Sequence, residues 1–112
     1  MQRKDRVRLE DMLDNSEKAL GFVNGRKRDD LETDVMLRYA VVRAIEVVGE
    51  AAAKVSPETR GRMTAVPWRQ IIGMRNRIVH RYSEINNDVL WMTLQSELPA
   101  LLPLLHAALA AS

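Results

Sequence analysis

The stretch from Asp30 to Val55, DLETDVMLRYAVVRAIEVVGEAAAKV, decides the fold class. Leu31, Val35, Val42, Ile45 and Ala52 recur in it at helical spacing, and this stripe predicts one helix from about Asp30 to Val55. Gly49 falls in line with the stripe, where a second backbone can approach closely. Asp29-Asp30-Leu31-Glu32 puts acids and a capping-box Glu at the helix start, the end where the dipole favours negative charge. Ser56-Pro57 ends the helix and opens a short following turn, since proline suits a first helical position.

The same period extends in both directions. Upstream, Leu9, Met12, Leu13, Leu20 and Val23 follow i, i+3, i+4 logic, and Asn24-Gly25 supplies a stop before the basic turn Arg26-Lys27-Arg28. Downstream, a loop from Thr59 to Val66 leads to Pro67-Trp68. A third helix then runs from Trp68 to about Val79 and buries Trp68, Ile71, Ile72, Ile78 and Val79. Asn86-Asn87 caps a fourth helix carrying Val89, Leu90, Met92 and Leu94. Leu98-Pro99 begins a fifth, very apolar segment that ends at Ala111. Aromatic residues are 4% of the chain and no stretch alternates like a strand, so strands are not expected. The expected fold is an all-α bundle of four to five helices in a single domain over residues 1–112.

Composition narrows the function. With 112 residues, 46% of them hydrophobic and 29% charged, the chain has the makings of one core and a soluble surface. The absence of cysteine excludes a disulfide scaffold, a thiolate zinc site and a cysteine nucleophile. Two histidines, His80 and His106, are too few for a His-rich metal centre, so neither metal nor cofactor is expected. The uncharged tail from Leu98 to Ser112 is too short to span a bilayer and contains Pro99 and Pro103. Met1 to Arg6 has basic residues but no apolar run behind them, so no signal peptide is expected and the cytoplasm is the default. His106, in the alanine-rich tail, reads as a packing residue.

The net charge of +2 hides an asymmetry. Between Glu58 and Glu84 lie Arg60, Arg62, Arg69, Arg75, Arg77 and Arg81 with no acid, while acids outnumber bases over the rest of the chain. Arginine's planar fork matches phosphate, so the segment suggests a focused anion site. Within it, Gly73-Met74-Arg75-Asn76-Arg77-Ile78-Val79-His80-Arg81-Tyr82 is the most informative run. On a helix Arg75 falls amid Ile71, Ile72, Ile78 and Val79, and a cation there is costly unless paired or used. It is either tied to Glu46 or Glu50 on the preceding helix or held for a phosphate. His80 follows Asn76 by four residues but lies about 140° from Arg75 on an ideal helix. The two converge only if the helix ends near His80, or if two copies face each other across a two-fold axis. The second arrangement puts two Arg and two His around one cleft, with Tyr82 at its rim.

Arg75-Asn76-Arg77-Ile78-Val79-His80-Arg81-Tyr82 resembles the R-x4-H-x-Y signature of HepT-type toxins, within the HEPN superfamily of small α-helical ribonucleases. Arg43 to Ala52 resembles that family's second-helix block, and Val66 to Met74 the lead-in to its active-site helix. Val89-Leu90-Trp91 and Glu97-Leu98-Pro99 resemble its C-terminal part. Arg81 departs from the pattern, standing where most relatives have glycine. The resemblance implies a homodimeric HEPN-type bundle acting as a metal-independent endoribonuclease, with a composite site at the dimer interface. Arg75 would steady the charged phosphorane, His80 would move protons and Asn76 would support them; the arginine-rich segment itself, through Arg69 and the local additions Arg77 and Arg81, is the expected RNA contact. It further implies a toxin of a type VII-like toxin–antitoxin system. The partner would be a minimal nucleotidyltransferase antitoxin that silences the toxin by AMPylation of Tyr82. The alternative is a catalytically inactive subunit that binds a nucleotide or docks the transferase. The intact set of Arg75, Asn76, His80 and Tyr82 favours the ribonuclease. A DNA-binding domain would need a helix-turn-helix with a basic recognition face, which this chain lacks.

Overall fold

The computed structural model describes residues 1–81 and 84–111. Helix α1 (Arg3–Phe22) buries Asp5, Leu9, Met12, Ser16 and Ala19, an alternation of fours and threes that keeps one face inward. It stops where the sequence implied: Gly25 takes φ 73°, a conformation open to glycine. The expected second helix is interrupted, and forms a single turn, α2 (Asp30–Thr33), followed by α3 (Val35–Lys54). The cause is Asp34, whose carboxylate accepts from Leu37 N at 3.0 Å and so caps a new helix start. Arg26 fastens the break, reaching Asp30 at 3.3 Å and Asp34 at 2.8 Å. Arg26 chiefly, then the Leu37 N–H, holds the Asp34 carboxyl below its ordinary range.

The interruption takes Leu31 out of phase with α3. Leu31, Ile45 and Ala52 are buried as expected, but Val42 is only half-buried and Val35 is 50% exposed. The buried face of α3 is Leu37, Val41, Ala44, Ile45, Val48, Gly49, Ala51 and Ala52. It packs on α1 along one side and on the later helices along the other. Ser56 accepts from Thr59 N at 3.3 Å and Pro57 sits in the first turn of α4 (Pro57–Arg62), as the sequence implied.

The expected third helix is also two pieces, α5 (Trp68–Ile72) and α6 (Met74–Ile78), separated at Gly73. Both lie against α3. A Cβ on Gly49 would stand 3.2 Å from Ile71 O and 3.5 Å from Ile72 O, so glycine is what lets α5 come this close. After Ile78 the chain turns extended and forms a small antiparallel hairpin, β1 (Val79–Arg81) with β2 (Glu84–Ile85), pairing Val79 with Ile85 and Arg81 with Glu84. This corrects the expectation of no strands. Three and two residues are too few to leave a periodic signal.

Helix α7 (Asn87–Met92) is capped by Asn86, which accepts from Val89 N at 3.0 Å. It runs without a break through a π-turn (Thr93–Glu97) into α8 (Leu98–Ala110), so the expected fourth and fifth helices are one rod. Proline carries no N–H and its ring crowds the carbonyl four residues back; the wide turn just before Pro99 accommodates both effects. Leu98, Leu101, Leu105 and Ala108 face the core and His106 is exposed, so the packing role expected of His106 does not hold. Among the described residues no helix is long and apolar enough to cross a membrane.

Candidate active site

Helix α6 buries Met74 and Ile78, one turn apart, and this sets the direction of everything between them. Arg75, next to Met74, comes out half-exposed at the edge of α3, with 36% of its side chain open. Its Nε donates to Glu46 Oε2 at 3.2 Å and one terminal nitrogen to Asn76 Oδ1 at 3.4 Å. Glu46 Oε1 meanwhile accepts from Arg43 at 3.0 Å, and Glu50 lies 3.7 Å from Arg43. Arg75 is thus paired to α3, one of the two readings its sequence position allowed, but it is not buried. A guanidinium has five N–H donors, and the remaining ones are open to an anion.

The helix ends at Ile78, two residues short of His80. Val79 adopts φ −108°, ψ 110° and still packs inward, and the next residue of a strand faces the other way. His80 is therefore exposed on β1, and the angular separation expected on a continuous helix no longer applies. The i, i+4 relation of Asn76 to His80 falls away for the same reason, although both are exposed.

Two open clefts share Arg75 and Glu46. One, of about 350 Å³, is lined also by Gly49, Glu50, Ala53, Ile72 and Asn76. The other, of about 310 Å³, is lined also by Tyr39, Val42, Arg43, Val79 and Ile85. Tyr39 lies one turn from Val35 and Val42, and like Val35 it is exposed because the buried face of α3 turns away from both. The signal available was an aromatic residue set i, i+4, i+7 with Arg43 and Glu46.

The remaining arginines do not form one patch. Arg60 folds back to the carbonyls of Val55 and Ala53 and closes the end of α3. Arg62 pairs with Glu58 at 2.8 Å within its own helix. Arg77 points away from Arg75, donating to Gln70 O at 3.1 Å and Glu97 at 3.0 Å, so it ties α6 to the π-turn. Arg81 is exposed beside Glu84 on the hairpin at 3.4 Å, and Arg69 is exposed on α5. The expectation that the basic segment forms one focused anion site is therefore corrected: Arg60, Arg62 and Arg77 each turn to a different neighbour. Tyr82 lies outside the described residues. Among the described residues no three His, Cys, Asp or Glu side chains come together as a metal site.

Residues 12–108 match the family model described as Ribonuclease HepT-like. The chain belongs to the HepT-like ribonuclease family. Its helical architecture agrees with the HEPN-type bundle that the Arg75-to-Tyr82 motif implied. This HepT-like chain is 36% identical over 93 residues to a candidate RNase of Caldanaerobacter subterraneus subsp. tengcongensis, covering 83% of each chain. It is 31% identical over 91 residues to a candidate RNase of Methanocaldococcus jannaschii, covering 81% of this chain and 84% of the relative. To the protein named probable ribonuclease HepT of Thermococcus cleftensis it is 30% identical over 101 residues, covering 90% and 92%. No solved structure matches the chain at a significant level.

Proposed function

We propose that this HepT-like chain is a metal-independent endoribonuclease in which Arg75 and His80 act on the phosphodiester at a cleft shared by two copies. The 2′-hydroxyl attacks the adjacent phosphorus, the bond to the 5′-oxygen breaks, and a 2′,3′-cyclic phosphate and a 5′-hydroxyl result. Negative charge builds on the phosphorane oxygens, where the open donors of Arg75 stabilise it. Histidine is the side chain suited to moving a proton near neutral pH, which is the role of His80 at one end of the transfer. Asn76, bonded to Arg75, steadies the guanidinium. The observation that carries the reading is the helix end at Ile78, which leaves Arg75 and His80 as open side chains on either side of a helix–strand junction.

The shared cleft is supported by apolar surface on α3. Met36 is 84% exposed and Val35 50%, adjacent apolar side chains that a second copy would cover. The toxin role, and its silencing by AMP placed on Tyr82 by a minimal nucleotidyltransferase antitoxin, rest on the motif. A phosphate attached two residues beyond His80 would compete with RNA for the same cations. The inactive docking subunit is favoured by one fact, that Glu46 already pairs with Arg75. The deciding experiment is RNA cleavage in excess chelator, with product ends analysed and Tyr82 examined by mass spectrometry after co-expression with the transferase. Cyclic phosphate ends and an adenylyl adduct on Tyr82 are expected. Absence of cleavage together with tight transferase binding selects the docking subunit.

A further inference from the structure

We infer that the groove beside Arg75, between α3 and the hairpin, is a nucleobase subsite in which the ring of Tyr39 stacks on a base next to the bound phosphate. The inference rests on the ribonuclease reading and adds to it where the RNA lies. Tyr39, Val42, Arg43 and Glu46 fall on one face of α3, and Arg75, Val79 and Ile85 form the opposite wall. The floor is apolar: Val79 is buried and Val42 and Ile85 are half-buried. Tyr39 is 58% exposed, an aromatic ring left in water at the edge of a groove that also contains the phosphate-facing cation.

Size and charge both fit a base. At about 310 Å³ the groove lies at the small end of ligand pockets, room for one flat heterocycle but not for a folded element of a partner. Arg38 stands over the Tyr39 ring at 6.0 Å from its centroid, and one of its terminal nitrogens donates to Leu31 O at 2.9 Å and Glu32 O at 3.4 Å. A cation on one face leaves the other for stacking. Arg43, Glu46 and Arg75 line the rest, and the two guanidinium groups there suit the phosphates on either side of a stacked base. Stacking is indifferent to the identity of the base, so the subsite would set the position of the strand more than its sequence.

The test uses an RNA oligonucleotide carrying 2-aminopurine beside the scissile phosphate, with His80→Ala protein so that the strand stays intact. Stacking should quench the 2-aminopurine fluorescence. Tyr39→Ala in that background should abolish the quench and weaken binding by about 10-fold, within the range for one base–aromatic stack. Tyr39→Phe, which keeps the ring, should restore both. In cleaving protein, Tyr39→Ala should raise KM by about 10-fold and move kcat by less than about 3-fold. A Tyr39→Ala protein with unchanged quench and KM overturns the subsite. So does a loss of quench that coincides with a fall in particle mass by light scattering, which would make Tyr39 a dimer contact. A full quench in wild type without any cleavage would refute the ribonuclease reading and leave the subsite standing.

Discussion

Replacing Asp5 with Asn should destabilise the protein strongly at neutral pH and hardly at all in acid. Asp5 lies in the first turn of α1 and is 3% exposed. One carboxylate oxygen accepts from Ser56 N at 2.9 Å; the other accepts from Ser56 Oγ at 2.6 Å and Thr59 Oγ1 at 2.5 Å. These bonds join the start of α1 to the junction of α3 and α4, across more than 50 residues of chain. The Ser56 hydroxyl, then the Thr59 hydroxyl and the Ser56 N–H, hold the Asp5 carboxyl below its ordinary range. In Asp5→Asn one oxygen remains an acceptor, but an NH2 group faces the two hydroxyls, which must reverse. A bond to a charged group contributes about 1.5–3 kcal/mol and a neutral one about 1, so the loss over these three bonds is about 2–3 kcal/mol. For a chain of this size that corresponds to a fall in Tm of about 10 °C. The sign in pH follows from the lowered pKa. The stabilisation is complete above the unfolded-state value, about 3.9, and is lost as pH falls through the lower folded value. Thermal unfolding by circular dichroism at neutral pH and near pH 2 reads both effects. A Tm difference below about 2 °C at neutral pH would refute the reasoning, as would a large difference that persists unchanged in acid.

Three further outcomes follow from other contacts. Gly49→Leu should cost about 1–3 kcal/mol and lower Tm, because the side chain must displace the Ile71 and Ile72 carbonyls; an unchanged Tm would mean α5 moves freely. Glu97→Gln weakens the contacts to Arg77 and to Thr93 Oγ1, each 3.0 Å, and should cost about 1 kcal/mol in denaturant unfolding while RNA cleavage is unaffected; lost cleavage would place Arg77 in the RNA path. Mixing inactive Arg75→Ala and His80→Ala proteins should restore measurable cleavage if the two side chains act from different copies across a two-fold axis; no recovery would assign them to one copy.

The helical class, the α1 stop at Asn24-Gly25, the Ser56 and Asn86 caps and the close approach at Gly49 were legible because each depends on local chemistry. The breaks were not. Asp34 lies inside an unbroken helical stripe, and Arg26, which pairs with its other carboxylate oxygen, approaches it only in the folded chain. The hairpin after Ile78 is too short for periodicity to reveal. Yet it is what frees His80 from the geometry of a continuous helix. Arg75 was recognisable as a cation needing a partner, and Glu46 as one of two acids able to supply it. That Arg77 turns to Glu97 and Arg60 to the end of α3 could not be read, because six arginines in 22 residues carry no record of which neighbour each will meet. Asp5 stood in a charged N-terminal run and gave no sign of burial; its partners come from more than 50 residues away.

The most direct measurement is the initial rate of cleavage of a labelled RNA in excess chelator by wild type, Arg75→Ala and His80→Ala. Wild type should cleave, and each variant should be slower by about 100-fold or more. Because the Arg75–Glu46 pair is a third or more open to solvent at Arg75, its loss should cost at most about 1 kcal/mol, and both variants should keep the helical spectrum and nearly the wild-type Tm. Cleavage that vanishes with chelator, or either variant retaining the wild-type rate, would contradict the account. An Arg75→Ala chain that unfolds would make Arg75 a structural cation instead.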